Sequence, residues 1–413
     1  MAPTKKIVIL GGSYGGVSTA HYFLQHSISV LPDSSVYQVV IVSPAAQAFC
    51  RPACPRALIS DDLFDQSKLF VSIPDSFKHY TMGGFEFVHG KVTSLAHDNR
   101  TVTITLASGD TQTIQYHALV IATGASTPSP LLGLNGDSDS LRSSWKVFRE
   151  ALTRSQHIVV AGGGPAGVET AGELGHYLNG RPGWFRGKRD PKVRITLVTS
   201  GPEILPYLST AVARQAEAYL LDVGVTLRKN TRVTAVSPTG AGTDDGVASK
   251  VTVTLSGNHV LEDVDLYIPA TGTRPNTEFV EKSLLAADGR VETNTRTLRV
   301  DGAGQRVYAI GDAASFARPA VHNILAAIPT LGANMRRDLL RAAGVSEAKV
   351  EAERTFEEDT RQSQLVPVGR SVGVGVVQGM RLPSFLVWLM KGRDYWLWTT
   401  EKLWNGKQWA KAK

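Results

Sequence analysis

The sequence is short of cysteine, of long apolar runs and of any large charge excess. Its 413 residues include two cysteines, Cys50 and Cys54. That excludes a disulfide framework and leads us to expect a reducing, intracellular setting. No uninterrupted apolar stretch is long enough to cross a bilayer as a helix. No signal peptide precedes the first apolar strand, and no glycine follows Met1 to carry a myristoyl chain. Lys and Arg total 44 against 37 acidic residues, a net charge of +7. With no nucleic-acid module in sight, anionic ligands or an anionic membrane surface explain that mild excess equally well.

What is present is a 42% hydrophobic chain with 39 glycines. Its length suits two or three domains, and the glycines suit tight turns and close backbone approaches. Lys5-Lys6-Ile7-Val8-Ile9-Leu10 reads as a buried strand. It opens into Gly11-Gly12-Ser13-Tyr14-Gly15-Gly16, a helix from about Val17 to His26, and a second strand at Val36–Val42. Strand, glycine turn, helix and strand in this order make a dinucleotide-binding unit. Gly11 would make the turn and Gly16 would let the helix approach the sheet. The first-turn amides would receive a pyrophosphate. Ser13 stands at the second glycine of the fingerprint, and Ser43 stands where an acid usually holds the ribose.

The pattern recurs at His157–Ala161. There Gly162, Gly164 and Gly167 have the full spacing, Pro165 and Ala166 open the helix, and Val193–Val198 is the next strand. Thr199 replaces the ribose acid, which removes the repulsion of a 2′-phosphate and permits NADPH as well as NADH. Glu169 reads either as a first-turn helix residue near the positive dipole end or as a contact beside the nicotinamide.

With both units in view, the chain resembles the pyridine nucleotide-disulfide oxidoreductase superfamily. Within it, the chain is most similar to the apoptosis-inducing-factor-2 and ferroptosis-suppressor group, and more distantly to type II NADH dehydrogenases. Leu119–Ala125, with Thr123 and Gly124, resembles the first crossover between domains. Leu266–Asn276, with Gly272, resembles the second. Val307–Ala314 resembles the second FAD motif, whose acid, here Asp312 after Gly311, binds the ribityl chain. Val368–Gly375 and Met390–Tyr395 are similar to the ferroptosis-suppressor tail.

The resemblance implies an α/β fold of two Rossmann-like three-layer domains. An NAD(P)H domain (129–273) would be inserted in an FAD domain (1–128 and 274–342), followed by a C-terminal α+β segment (343–413). It implies FAD reduced by NADH or NADPH, with electrons passed to a quinone or similar acceptor. A soluble FAD enzyme acting on one biosynthetic metabolite and a non-enzymatic nucleotide-binding regulator are the alternatives. The chemistry would be the cofactor's, and positioning would matter more than acid or base.

Disulfide reductases of the superfamily carry a redox pair near Cys50-Arg51-Pro52-Ala53-Cys54. The three-residue spacing and the prolines instead predict ordinary thiols, with Phe49, Arg51 and Pro52 lining the flavin pocket. A helix at about 324–340, interrupted near Pro319 and Pro329, would aim its N-terminus at the flavin. His322 there is either a hydrogen-bonded histidine or an acceptor-pocket residue. Strands are expected at 87–92, 101–106, 232–236 and 250–255, with a mobile hairpin tip at 240–246. A basic loop spans 179–191.

Five of the seven tryptophans lie beyond Phe385: Trp388, Trp396, Trp398, Trp404 and Trp409. They are interleaved with Lys391, Arg393, Lys402, Lys407, Lys411 and Lys413. The tail therefore reads as a peripheral contact with anionic membrane or with a hydrophobic substrate, as packing onto the FAD domain, or as a homodimer contact. No nucleic-acid partner is favoured.

Overall fold

The structure, a computed structural model, describes residues 4–80, 84–181, 190–244 and 246–411. Strand Lys5–Leu10 lies between Tyr37–Ser43 and Ala118–Ile121, parallel to both. Val307–Ala309 adds in parallel beside Ala118–Ile121. These short strands are buried on both faces, as their β-branched runs require. On the far side, Phe85–Ala96 changes partners along its length. Its first residues pair in parallel with Val39–Ser43, and its second half pairs antiparallel with Thr101–Leu106. The strands expected at 87–92 and 101–106 thus join one seven-stranded mixed sheet.

A second sheet has four parallel strands: Val225–Arg228, Arg194–Val198, His157–Ala161 and Leu266–Pro269. An antiparallel meander of Val233–Ser237, Val251–Leu255 and His259–Val264 accompanies it. Near the C-terminus, Gln364–Val368, Val372–Val377 and Met380–Arg381 form a small antiparallel sheet. The architecture is α/β and Rossmann-like, with mixed sheets. The tail is knitted into both cores. Leu403, Trp404 and Trp409 pack with the seven-stranded sheet, whereas Tyr395 and Leu397 pack with the four-stranded one.

Three expectations change. The first glycine-loop helix starts at Tyr14, not Val17, and ends in a widened π turn over Phe23–Ser27. The late helix runs unbroken from Val321 to Ala342 through Pro329, because buried Ile328, Leu331 and Met335 hold it in place. The 240–246 stretch is no projecting tip. Ala241 is buried, and a Cβ on Gly242 would lie 2.5 Å from the Tyr267 carbonyl oxygen. Asp245, residues 182–189 of the basic loop with Trp184 and Phe185, and Lys413 lie outside the described residues.

Candidate active site

Both glycine loops are built by the same contacts. Gly11 has φ +120° and Gly162 has φ +127°; a Cβ on either would sit 2.1 Å from the carbonyl oxygen of Ala122 or Ala270. A Cβ on Gly16 would lie 1.8 Å from the Gly11 oxygen, and one on Gly167 would lie 1.9 Å from the Gly162 oxygen. These glycines are therefore demanded by the protein's own packing. Gly164 differs, because a Cβ there meets no protein atom within 4 Å. Its counterpart Ser13 fits the first loop without strain, at φ −119°. Gly12 packs on Ser43, and Gly163 packs on Thr199. Ser43 and Thr199 thus stand directly against their loops.

Neither loop helix has a capping side chain or an acid in its first turn. Their leading amides are left for an anion, as a pyrophosphate site needs. Both loops open onto one cleft of about 1790 Å³. Gly11, Gly12, Ser13, Tyr14, Gly15, Ser43, Arg51, Thr123 and Gly124 line it from one side. Gly162, Gly164, Pro165, Ala166, Glu169, Thr199 and Gly272 line it from the other, and Gly311 and Asp312 complete it. Gly16 and Gly167 lie behind the surface. Phe49 and Pro52 also line the cleft. Arg51 reaches the Asp312 carboxylate at 3.4 Å and donates to the Ala125 carbonyl oxygen at 3.3 Å. The helix beginning at Val321 presents its first turn to the cleft through Ala320, Val321 and Ile324. His322 does not line the cleft. It is exposed, with Arg318, Glu358 and Asp359 around it.

Glu169 is not a solvated first-turn residue. It is buried, and Lys391 Nζ donates to its Oε1 at 2.5 Å. Burial pushes its carboxyl up to about 7, against the pull of the Lys391 ammonium. Lys391 is itself buried, donates to the Leu365 carbonyl oxygen, and lies 5.0 Å from the Trp396 ring centre. It therefore does not belong to the exposed lysines of the tail. One helical turn beyond Glu169, Glu173 accepts both Arg56 Nε and Nη2, at 3.0 and 2.8 Å, and the Tyr395 hydroxyl at 3.0 Å.

Sequence reasoning missed this network because its members come from three distant segments. Trp396 lines the cleft, and the sequence alone left its tail segment open between a membrane surface, a hydrophobic substrate, packing onto the FAD domain and a dimer contact. It is turned inward by consecutive left-handed residues, Tyr395 at φ +52° and Trp396 at φ +67°. Only the Met390–Tyr395 resemblance hinted at it.

Cys50 and Cys54 are buried free thiols. Cys50 accepts from the Tyr14 hydroxyl at 3.4 Å and donates to the Tyr395 carbonyl oxygen at 3.6 Å. Burial pushes Cys50 up to about 11 and Cys54 higher, so neither is a thiolate at neutral pH.

Paired Rossmann-like units facing one cleft define a protein of the double-dinucleotide-fold class. The chain belongs to the pyridine nucleotide-disulphide oxidoreductase family, which it matches over residues 5–330. It is 60% identical to Oxidoreductase phnG of Penicillium herquei over 99% of this chain and 98% of that protein. It is 26% identical to Ferroptosis suppressor protein 1 of Xenopus tropicalis over 94% and 93% of the two chains. In fold it is similar to NDH2 from Plasmodium falciparum in complex with NADH, with TM-score 0.67, 16% identity, and coverage of 99% of this chain and 100% of that one.

Proposed function

We propose that this oxidoreductase holds FAD in the unit of Gly11, takes hydride from NADH or NADPH bound in the unit of Gly162, and passes the electrons to a quinone or similar small acceptor. The observation that carries the reading is the pair of uncapped glycine-loop helices opening onto one cleft. Residues 1–128 and 274–342 form the FAD domain, 129–273 an inserted NAD(P)H domain and 343–413 the C-terminal domain. The reading is supported by Val307–Ala309 joining the sheet of Lys5–Leu10. Bound FAD would supply the two-electron chemistry.

The chain's own residues bind and orient. The loop amides hold pyrophosphates, and Ser43 and Thr199 meet the riboses. Asp312, held by Arg51, accepts from the ribityl chain. Glu169 and Lys391 flank the ring region, with Trp396 as an aromatic wall for a planar acceptor. Apolar Phe385, Leu389 and Met390 are exposed beside Arg381 and Arg393, which supports a peripheral contact with anionic membrane.

A second reading, a soluble enzyme for one aromatic metabolite, is favoured by the buried ammonium of Lys391 beside Trp396. That pair would hold an ionised phenol as well as a quinone carbonyl. A stopped-flow experiment decides between them. Purified yellow protein should bleach on mixing with NADH or NADPH and recover its colour with ubiquinone analogues. Protein that binds no FAD overturns both readings. Recovery of colour with dioxygen as the electron acceptor, accelerated by a hydroxylated aromatic and not obtained with quinones, selects the second.

A further inference from the structure

One wall of the cleft carries a cation that no part of the proposed chemistry uses. Arg232 lines the cleft beside Thr231, on the same side as Thr199 and Ser200. Two backbone bonds pin its loop to the ribose end of the second unit. Thr231 N donates to the Thr199 carbonyl oxygen at 2.9 Å, and Asn230 N donates to the Gly201 carbonyl oxygen at 2.9 Å. The Arg232 backbone is held in turn by Ser256 Oγ at 3.1 Å. Its side chain is exposed, and its guanidinium has no hydrogen-bond or ion-pair partner among the described residues. Thr199, packed against Gly163, is the residue standing where an acid would grip the ribose hydroxyls. A fixed backbone, a free guanidinium and a neutral ribose position together make a receptor for a dianionic phosphate.

We infer that Arg232 reads the 2′-phosphate of NADPH and gives this protein a preference for NADPH over NADH, an inference that rests on the second unit being the nicotinamide nucleotide site. The guanidinium is supplied by the loop after the third parallel strand, Val225–Arg228, and not by the segment directly following Thr199. Glu203 lines the same cleft four residues beyond Thr199 and is the rival reader, since a carboxylate there would accept from an unphosphorylated ribose.

The experiment measures calorimetric binding of 2′,5′-ADP and 5′-AMP to the intact protein, which needs no turnover. The expected result is that 2′,5′-ADP binds at least about ten-fold tighter than 5′-AMP, or about 1.4 kcal/mol. Arg232→Ala should abolish that difference while leaving 5′-AMP within about two-fold, and Arg232→Lys should restore part of it. Equal binding of the two nucleotides by the wild type overturns the inference. So does an Arg232→Ala variant that keeps the preference. Binding of neither nucleotide overturns the assignment of the second unit itself.

Discussion

Gly16 and Gly164 are glycines for opposite reasons, and paired substitutions separate them. A Cβ on Gly16 collides with the Gly11 carbonyl 1.8 Å away, whereas one on Gly164 meets nothing within 4 Å. Gly16→Ala should therefore cost at least about 1–3 kcal/mol of stability through forced backbone movement, seen as a lower urea midpoint. Gly164→Ala should leave that midpoint nearly unchanged and instead weaken nicotinamide nucleotide binding, because the added methyl projects toward the ligand. Equal stability losses in the two variants would contradict this assignment.

Glu169 supplies a pH-dependent prediction at the same scale. Its ordinary value is 4.5, and burial raises it to about 7. Between those values the folded protein holds a proton that the unfolded chain has released. The group's contribution to stability is thus fully present below about 4.5 and is lost as pH rises through about 7. Above that point the carboxylate faces the Lys391 ammonium as a complete ion pair. Single-turnover reduction by NADPH should show an inflection near pH 7. Lys391→Met, which removes the ion holding the value down, should move that inflection to higher pH. A flat wild-type profile across neutrality would sink the role assigned to Glu169.

At the scale of elements, three segments meet in the buried Arg56–Glu173–Tyr395 cluster: the turn of helix Cys54–Ala57, the helix Pro165–Leu178 and the C-terminal segment. The ion pair is only 5% and 2% exposed at its side chains, so neither charge can fall back on water. Arg56→Ala should destabilise by about 3–5 kcal/mol by stranding the Glu173 carboxylate. The double variant Arg56→Met/Glu173→Leu should recover most of that loss by denaturant titration. The neighbouring thiols behave as packing groups. Cys50→Ser and Cys54→Ser should each keep full acceptor-reducing turnover, and loss of turnover with intact flavin content would restore the dithiol reading.

At the scale of the whole molecule, the tail divides into an inner and an outer part. Trp404 and Trp409 are 1% exposed and seal the seven-stranded sheet, whereas Trp398 and Phe385 are 60% and 64% exposed. Lys402, Lys407 and Lys411 are exposed. Flotation with anionic vesicles at low salt should recover the wild type. Lys402→Glu, Lys407→Glu and Lys411→Glu together should release it without changing flavin content. A wild type that never floats but sediments as a dimer would assign the face to a second copy.

Much of the architecture was legible because it rests on local rules. Two β-branched runs ending in glycine clusters determine strand, tight turn and helix, since only glycine tolerates the φ of Gly11 and Gly162 and the contacts behind Gly16 and Gly167. Thr199 at the end of strand Arg194–Val198 is equally local. The partners of buried charges were not legible. Lys391 reads as one more basic residue in a Trp-rich tail, and its contact with Glu169 spans 222 positions in the chain. Arg232 carried no signal either, because its place beside Thr199 depends on how the loop after the third strand folds back on the second. The inward turn of Trp396 depends on two strained backbone residues that no propensity foretells. Sequence alone determined the two Rossmann-like strand, glycine-turn and helix units, because turn chemistry and strand periodicity act within a few residues. Tertiary structure alone decided which charges face the cleft, because burying an ion requires a partner that only the packed chain can bring.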